Sequence, residues 1–231
     1  MAGPTSPVIR GAADLRAYRA AQSPETPTVD QAALGGSHAD GMGWAFAAGY
    51  EAALARLDPM AVRGGALAAL CATEEGGGHP RAIRSTLAPA PGGFVLSGSK
   101  TWVTLGADAE ALLVVASVGS DAEGRNRLKV ARVPTLRSGV TLQAGEPTPF
   151  APEIGHARAT FEAVAVGHED VLPGDGYDDA LKPFRTIEDI HVTAAVLGWA
   201  IGVGRSNGSR GGVEGARAGK VTGDRYDGGE G

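Results

Sequence analysis

The chain has 231 residues, room for one large domain or two small ones; 43% are hydrophobic but only 5% aromatic, so a core must be built mainly from Ala, Val, Leu and Ile. A net charge of −5 argues against a nucleic-acid surface, which needs clustered Lys and Arg, and no polybasic membrane patch is present. No apolar run reaches the roughly 18 residues of a membrane span, the first residues lack a basic-then-apolar leader pattern, and a single cysteine, Cys71, fits a reducing cytoplasm.

In chain order, the first 65 residues read as short helices. "DLRAYRAAQ" is one, stopped by Pro24. "GMGWAFAAGYEAALARLDP" is the strongest, with Met42, Phe46, Tyr50, Leu54 and Leu57 at helical steps on one face that must pack against a neighbour. The period then changes to two. In "GGFVLSGSKTWVTLG", Phe94, Leu96, Gly98, Lys100, Trp102 and Thr104 point one way and Val95, Ser97, Ser99, Thr101 and Val103 the other. "AEALLVVASV" reads as a buried strand, and "RLKVARVP", "SGVTLQAG" and "ARATFEAVAV" follow at short spacings. Short strands in this rhythm suggest a sandwich or small barrel, not a doubly wound α/β sheet, with Phe94, Leu96, Val114 and Phe161 inside. Helix returns in "ALKPFRTIEDIHVTAAVLGWAIGVG". From residue 204 the text is glycine-rich, charged and aperiodic, which predicts a disordered tail over 204–231 and is also what a shifted reading frame would produce.

Few motifs carry chemistry on their own. The glycine run in "CATEEGGGHP" lacks the G-K-[ST] of a phosphate loop and leads into strands, so turn chemistry alone explains it about as well as a ligand does. Glu188 and His191 have the i, i+3 spacing of half a carboxylate-bridged di-iron site, but no second copy exists, and a polar helix face is the simpler reading. His38, His79, His156 and His168 show no metal spacing, and no G-x-S-x-G elbow is present.

Taken together, residues 71–203 resemble the acyl-CoA dehydrogenase family. The resemblance rests on the Thr-Glu and glycine turn of "CATEEGGGHP", the Lys-x-Trp-x-Thr of "GGFVLSGSKTWVTLGADAEALLVVAS", and "TFEAVAV" followed by "VLPGDGY". It implies an α+β fold in which an antiparallel β-barrel-like middle domain is flanked by helical segments. The corresponding boundaries are a shortened N-terminal helical region over 1–68, the middle β-domain over 69–174, the start of a C-terminal helical domain over 175–203, and the tail over 204–231. It further implies an FAD cofactor, an acyl-CoA thioester as substrate, α,β-dehydrogenation as the reaction, and a homo-oligomer. Leu70, Ala72 and Thr73 would line the flavin, Gly78 would approach it by backbone, Trp102 would pack near the ring, and Thr104 would hydrogen-bond its polar edge.

Departures from the family pattern define what to test. Leu70 stands where an aromatic residue is usual, Glu75 replaces a proline, and His79-Pro80 replaces Ser-Asp; His79 would either donate to a phosphate or stand exposed. Glu75, Glu188 and Asp189 repel phosphates. The family's catalytic glutamate belongs to a C-terminal bundle of which about one helix is recognisable, so no carboxylate is assigned as base. The alternative from another class is a non-catalytic remnant or binding module that keeps only the β-domain.

Overall fold

The structure, a computed structural model, describes residues 8–215, with side chains described through Gly204. Three helices open the chain: α1 (Ala12–Ala20), α2 (Thr28–His38) and α3 (Met42–Leu57). Helix α1 buries only Leu15 and Tyr18, whereas α3 is buried on nearly every side. The one-face reading of α3 is corrected accordingly. Met42 is half exposed and the packing is carried by Tyr50, Leu54 and the small residues Ala45, Ala47, Ala48, Ala52 and Ala53. Small side chains let neighbouring helices approach from several directions, so the helix becomes a central element and not an amphipathic lid.

Seven strands follow: β1 (Ala68–Cys71), β2 (Thr86–Ala90), β3 (Gly93–Thr104), β4 (Ala111–Ser120), β5 (Asn126–Pro134), β6 (Val140–Ala144) and β7 (His156–Gly167). They form one curled sheet, a half-barrel in the order β1-β4-β2-β3-β7-β6, with β5 on the other edge of β4. The consecutive hairpins β2–β3, β4–β5 and β6–β7 and the β3–β7 pair are antiparallel. On its remaining edge β4 receives β1 in parallel over Ala68–Cys71 and then touches β2 through Thr86 and Ser117. The chain leaving β7 returns to the β5 edge through an Ala131–Val171 bridge, which covers an otherwise open strand.

Two cores share β4. Leu113 and Val115 face the helices, while Leu112, Val114 and Ala116 face the inside of the curl with Leu96 and Phe161. Burial on both faces explains its uninterrupted apolar run. Leu96, Val114 and Phe161 are buried as the periodicity predicts, while Phe94 is only partly buried, edge-on to His168 at the rim.

The β3–β7 pairing shifts register at two places, between Leu96 and Gly98 and between Lys100 and Val103; past the second, Val103 is fully buried and Trp102 is 51% exposed. A bulge inserts one residue and reverses every side chain beyond it.

A π-helical turn, Gly176–Leu181, leads into α4 (Lys182–Gly215). The helix therefore passes Gly204, where the sequence reading placed the start of the tail; the remainder of that expectation, 216–231, lies outside the described residues. Gly176–Gly204 is long and apolar enough to cross a membrane by length and composition, although polar residues interrupt its apolar run. Here it packs on α2 and α3. A Cβ at Gly36 would collide with the Ala195 carbonyl, and one at Gly198 with the Ala33 carbonyl.

Candidate functional site

The segment after β1 is fixed by a buried ion pair. Lys100 is fully buried, and its Nζ donates to Glu74 Oε1 (2.8 Å), Val115 O (2.6 Å) and Ala72 O (3.4 Å). Glu74 also accepts from Arg84 N (2.7 Å), Ser85 N (3.0 Å) and Ser85 Oγ (2.8 Å). Burial alone would raise the Glu74 carboxyl; the bonds from Lys100, Ser85 and Arg84 outweigh it and hold the group below its ordinary value. Burial lowers Lys100 and Glu74 opposes that. The pair straddles the glycine turn. Glu74 and Gly77 exchange both backbone bonds (3.2 and 2.8 Å), which closes the turn on itself. The Thr101 N–H then ties the segment to β3 by donating to Thr73 O (2.9 Å).

From above, Tyr50 of α3 reaches down and accepts the Leu70 N–H (2.8 Å), with Phe184 of α4 edge-on to its ring. Leu70, Ala72, Thr73 and Gly78 are all partly exposed along this segment, and Thr104 is partly exposed on β3. These five and Trp102 thus come from two adjacent segments joined by the Thr73–Thr101 bond. His79 does not join them in the same way. It is exposed, and its Nδ1 accepts the Arg81 N–H (3.2 Å), capping the short 3₁₀ turn Pro80–Ala82. A Cβ at Gly78 would make only ordinary contact with Thr73 Oγ1, so the backbone there is not sterically reserved for glycine.

Trp102 meets His156, the first residue of β7, with ring centroids 4.3 Å apart and planes at 37°. Two cavities adjoin this pair. One, of about 340 Å³, is a polar groove whose lining includes Thr101, Trp102, Gln143, His156 and Arg158. The other, of about 200 Å³, is an apolar slot formed by Met42 and Phe46 of α3, Phe150, Ile154, and Val192 and Val196 of α4, and it too ends on His156. Burial lowers the His156 imidazole, against a contribution from the Ile154 backbone that raises it. Glu188 lies one turn before Val192 on the same helical face. Its carboxyl is raised by burial and then by Asp189, and it is near enough to Tyr50 to help raise that hydroxyl.

The sequence reading missed Lys100, Glu74, His156 and Tyr50. The signal for Lys100 was present: a lysine on the inward face of an alternating strand requires a buried partner. His156 carried no such signal, because its role depends on a helix more than a hundred residues away. The di-iron alternative is corrected. His191 is buried with Nδ1 at 2.6 Å from Ile187 O and Nε2 at 2.8 Å from Thr28 Oγ1, and among the described residues no group of three potential metal ligands exists.

Residues 69–164 match the family described as acyl-CoA dehydrogenase, middle domain. No curated protein sequence matches the chain. Among solved structures, PigA in its FAD complex superposes with a TM-score of 0.65 at 16% identity, over 83% of this chain and 57% of PigA. Butyryl-CoA dehydrogenase from Megasphaera elsdenii gives 0.59 at 18%, over 72% of this chain and 47% of that one. FMN-bound TdsC from Paenibacillus sp. A11-2 gives 0.59 at 26%, over 76% and 48%. The chain thus spans roughly half the length of these proteins. The match to the acyl-CoA dehydrogenase middle-domain family over 69–164 and these superpositions agree, and the chain takes the fold shared by PigA and butyryl-CoA dehydrogenase.

Proposed function

We propose that the chain is a flavoprotein of the acyl-CoA dehydrogenase type that binds FAD and oxidises an acyl thioester. The flavin ring would lie against Trp102 in the polar groove, and the acyl body in the apolar slot. The observation that carries this reading is that both cavities end on His156, so a planar polar ligand in one and an aliphatic ligand in the other meet at the same side chain. The groove suits a flavin. Half of Trp102 is open, Thr101 and Gln143 offer hydrogen bonds, and Arg158, 3.6 Å from the exposed Glu75 carboxylate, would turn to a phosphate only by exchanging that partner. That flavin-bound PigA and TdsC share the fold adds support.

A bound flavin would supply a two-electron acceptor. The chain's own residues would do the rest. Phe46, Val192 and Val196 would hold an acyl chain and exclude water, and Glu188, one turn before Val192, would take an α-proton. Its raised value makes it a stronger base near neutrality than an exposed glutamate.

The test is a visible spectrum of the purified chain with added FAD or FMN, followed by dye reduction with short, medium and branched acyl-CoA esters. Flavin binding that weakens in Trp102→Ala is expected, and Glu188→Gln should lower turnover by about 10²–10⁴-fold. A colourless chain that stays colourless with both flavins defeats the reading. It would leave the second one, a β-domain kept as a binding module.

A further inference from the structure

A second cavity, remote from the Trp102 groove, lies between α1, the turn before α2, the end of α3 and the Arg63–Gly65 turn, with a volume of about 400 Å³. Its lining contains a cation held in an unusual state. The Arg19 side chain is 7% exposed, yet its Nε is sealed from solvent with no hydrogen-bond acceptor. The nearest carboxylate oxygen, Glu51 Oε2, is 3.8 Å away, too far for a good bond. Glu51 is instead engaged by the Ala68 N–H, 3.2 Å from each of its oxygens. Arg63 stands exposed at the edge of the same cavity, and Pro24, Ala55, Pro59 and Val62 form an apolar wall.

A buried guanidinium whose Nε has no acceptor and whose nearest carboxylate is 3.8 Å away is poorly compensated, and an anion in the cavity that meets the part of the fork still open offsets part of that cost. Two guanidinium forks beside an apolar wall match the planar, two-oxygen head and short aliphatic body of a carboxylate better than a tetrahedral phosphate, which has no use for the wall. We propose that this cavity binds a small organic carboxylate, with its head on Arg19 and Arg63 and its body against Pro24, Ala55, Pro59 and Val62. The site is independent of the flavin reading and shares no residue with it.

Glu51 makes the binding sensitive to pH. It is fully buried, and desolvation pushes it up to about 8 against the opposing effects of Arg19 and the Ala68 N–H. The other charged or titratable groups facing it are Arg16 of α1, Glu110 before β4, and Tyr50 of its own helix. Below that value the carboxyl is neutral and leaves the Arg19 charge for a ligand; above it, ionised Glu51 competes.

Calorimetric titration of the full chain with sodium butyrate, the neutral isostere butyramide and inorganic phosphate tests this. Saturable butyrate binding is expected, with none for butyramide. Arg63→Ala should weaken it about tenfold, the loss of one charge-assisted contact, and Arg19→Met should abolish it. Binding should fall between about pH 7 and about pH 9, and Glu51→Gln should remove that fall. The proposal is overturned if butyrate gives no saturable heat, if butyramide binds equally well, if phosphate binds in place of butyrate, or if folded Arg63→Ala keeps wild-type affinity. The last criterion stands even if Arg19→Met fails to fold.

Discussion

Lys100 and Glu74 show how a single pair can position a site without touching a ligand. Removing one partner leaves a buried charge with unmet hydrogen bonds, a loss of about 3–5 kcal/mol. Lys100→Met should therefore lower stability by that order in urea unfolding, and because the pair holds the 72–78 segment against β3, flavin affinity should fall with it. Unchanged stability would show that the pair is dispensable. Glu51 gives a prediction of the opposite sense. Its folded value of about 8 lies above the ordinary carboxyl value of 4.5, so between the two the folded state holds a proton that the unfolded state has released. Stability from this group is fully present at pH values below 4.5 and falls as pH rises through the window to about 8, then levels off. Glu51→Gln should flatten this limb, so that its melting temperature exceeds the wild type's at about pH 8 and not at about pH 5. Thermal unfolding across that range reads the effect directly.

At the scale of elements, the helical layer depends on close approach. Gly36 and Gly198 sit where α2 and α4 nearly touch backbones, so Gly198→Leu should force the helices apart and cost several kcal/mol, well beyond the gain in helix propensity of about 1 kcal/mol. A melting temperature equal to the wild type's would refute that packing. The same packing explains what could be read in advance. Period-two patterning located β3, a continuous apolar run located β4, and short apolar stretches between turn residues located β5, β6 and β7. None of these signals marked β1 or β2, at four and five residues too short to establish a period, and β1 is held by a parallel partner forty residues away. The bulge between Lys100 and Val103 left no trace in the alternation, yet it decides that Trp102 faces outward. Thr73, Trp102 and Thr104 were legible as site residues, whereas Glu74 and Lys100 were legible only as parts of a motif. Their junction with α3 and α4 at His156 was not, because it is made by packing between distant segments.

At the scale of the whole molecule, the described residues leave one face of α4 uncovered. Ile190, Leu197 and Ile201 are 53%, 58% and 56% exposed, and their spacing of seven and four residues places them along one stripe. The opposite side of the helix is occupied by α2 and α3, so the stripe cannot be buried without another surface. A contiguous apolar stripe on a helix is the kind of surface that associates in water, and a common solution is pairing with a second copy about a two-fold axis. The chain is therefore expected to self-associate, with a melting temperature that rises with protein concentration. Leu197→Lys combined with Ile201→Lys should shift the sedimenting species toward the monomer and remove the concentration dependence. Neither residue lines the groove or the slot at His156, so flavin binding in the variant separates two outcomes. If binding survives, each copy holds its cofactor alone; if it is lost along with the dimer, the partner completes the site. A wild-type chain that sediments as a monomer at all concentrations would refute the expectation.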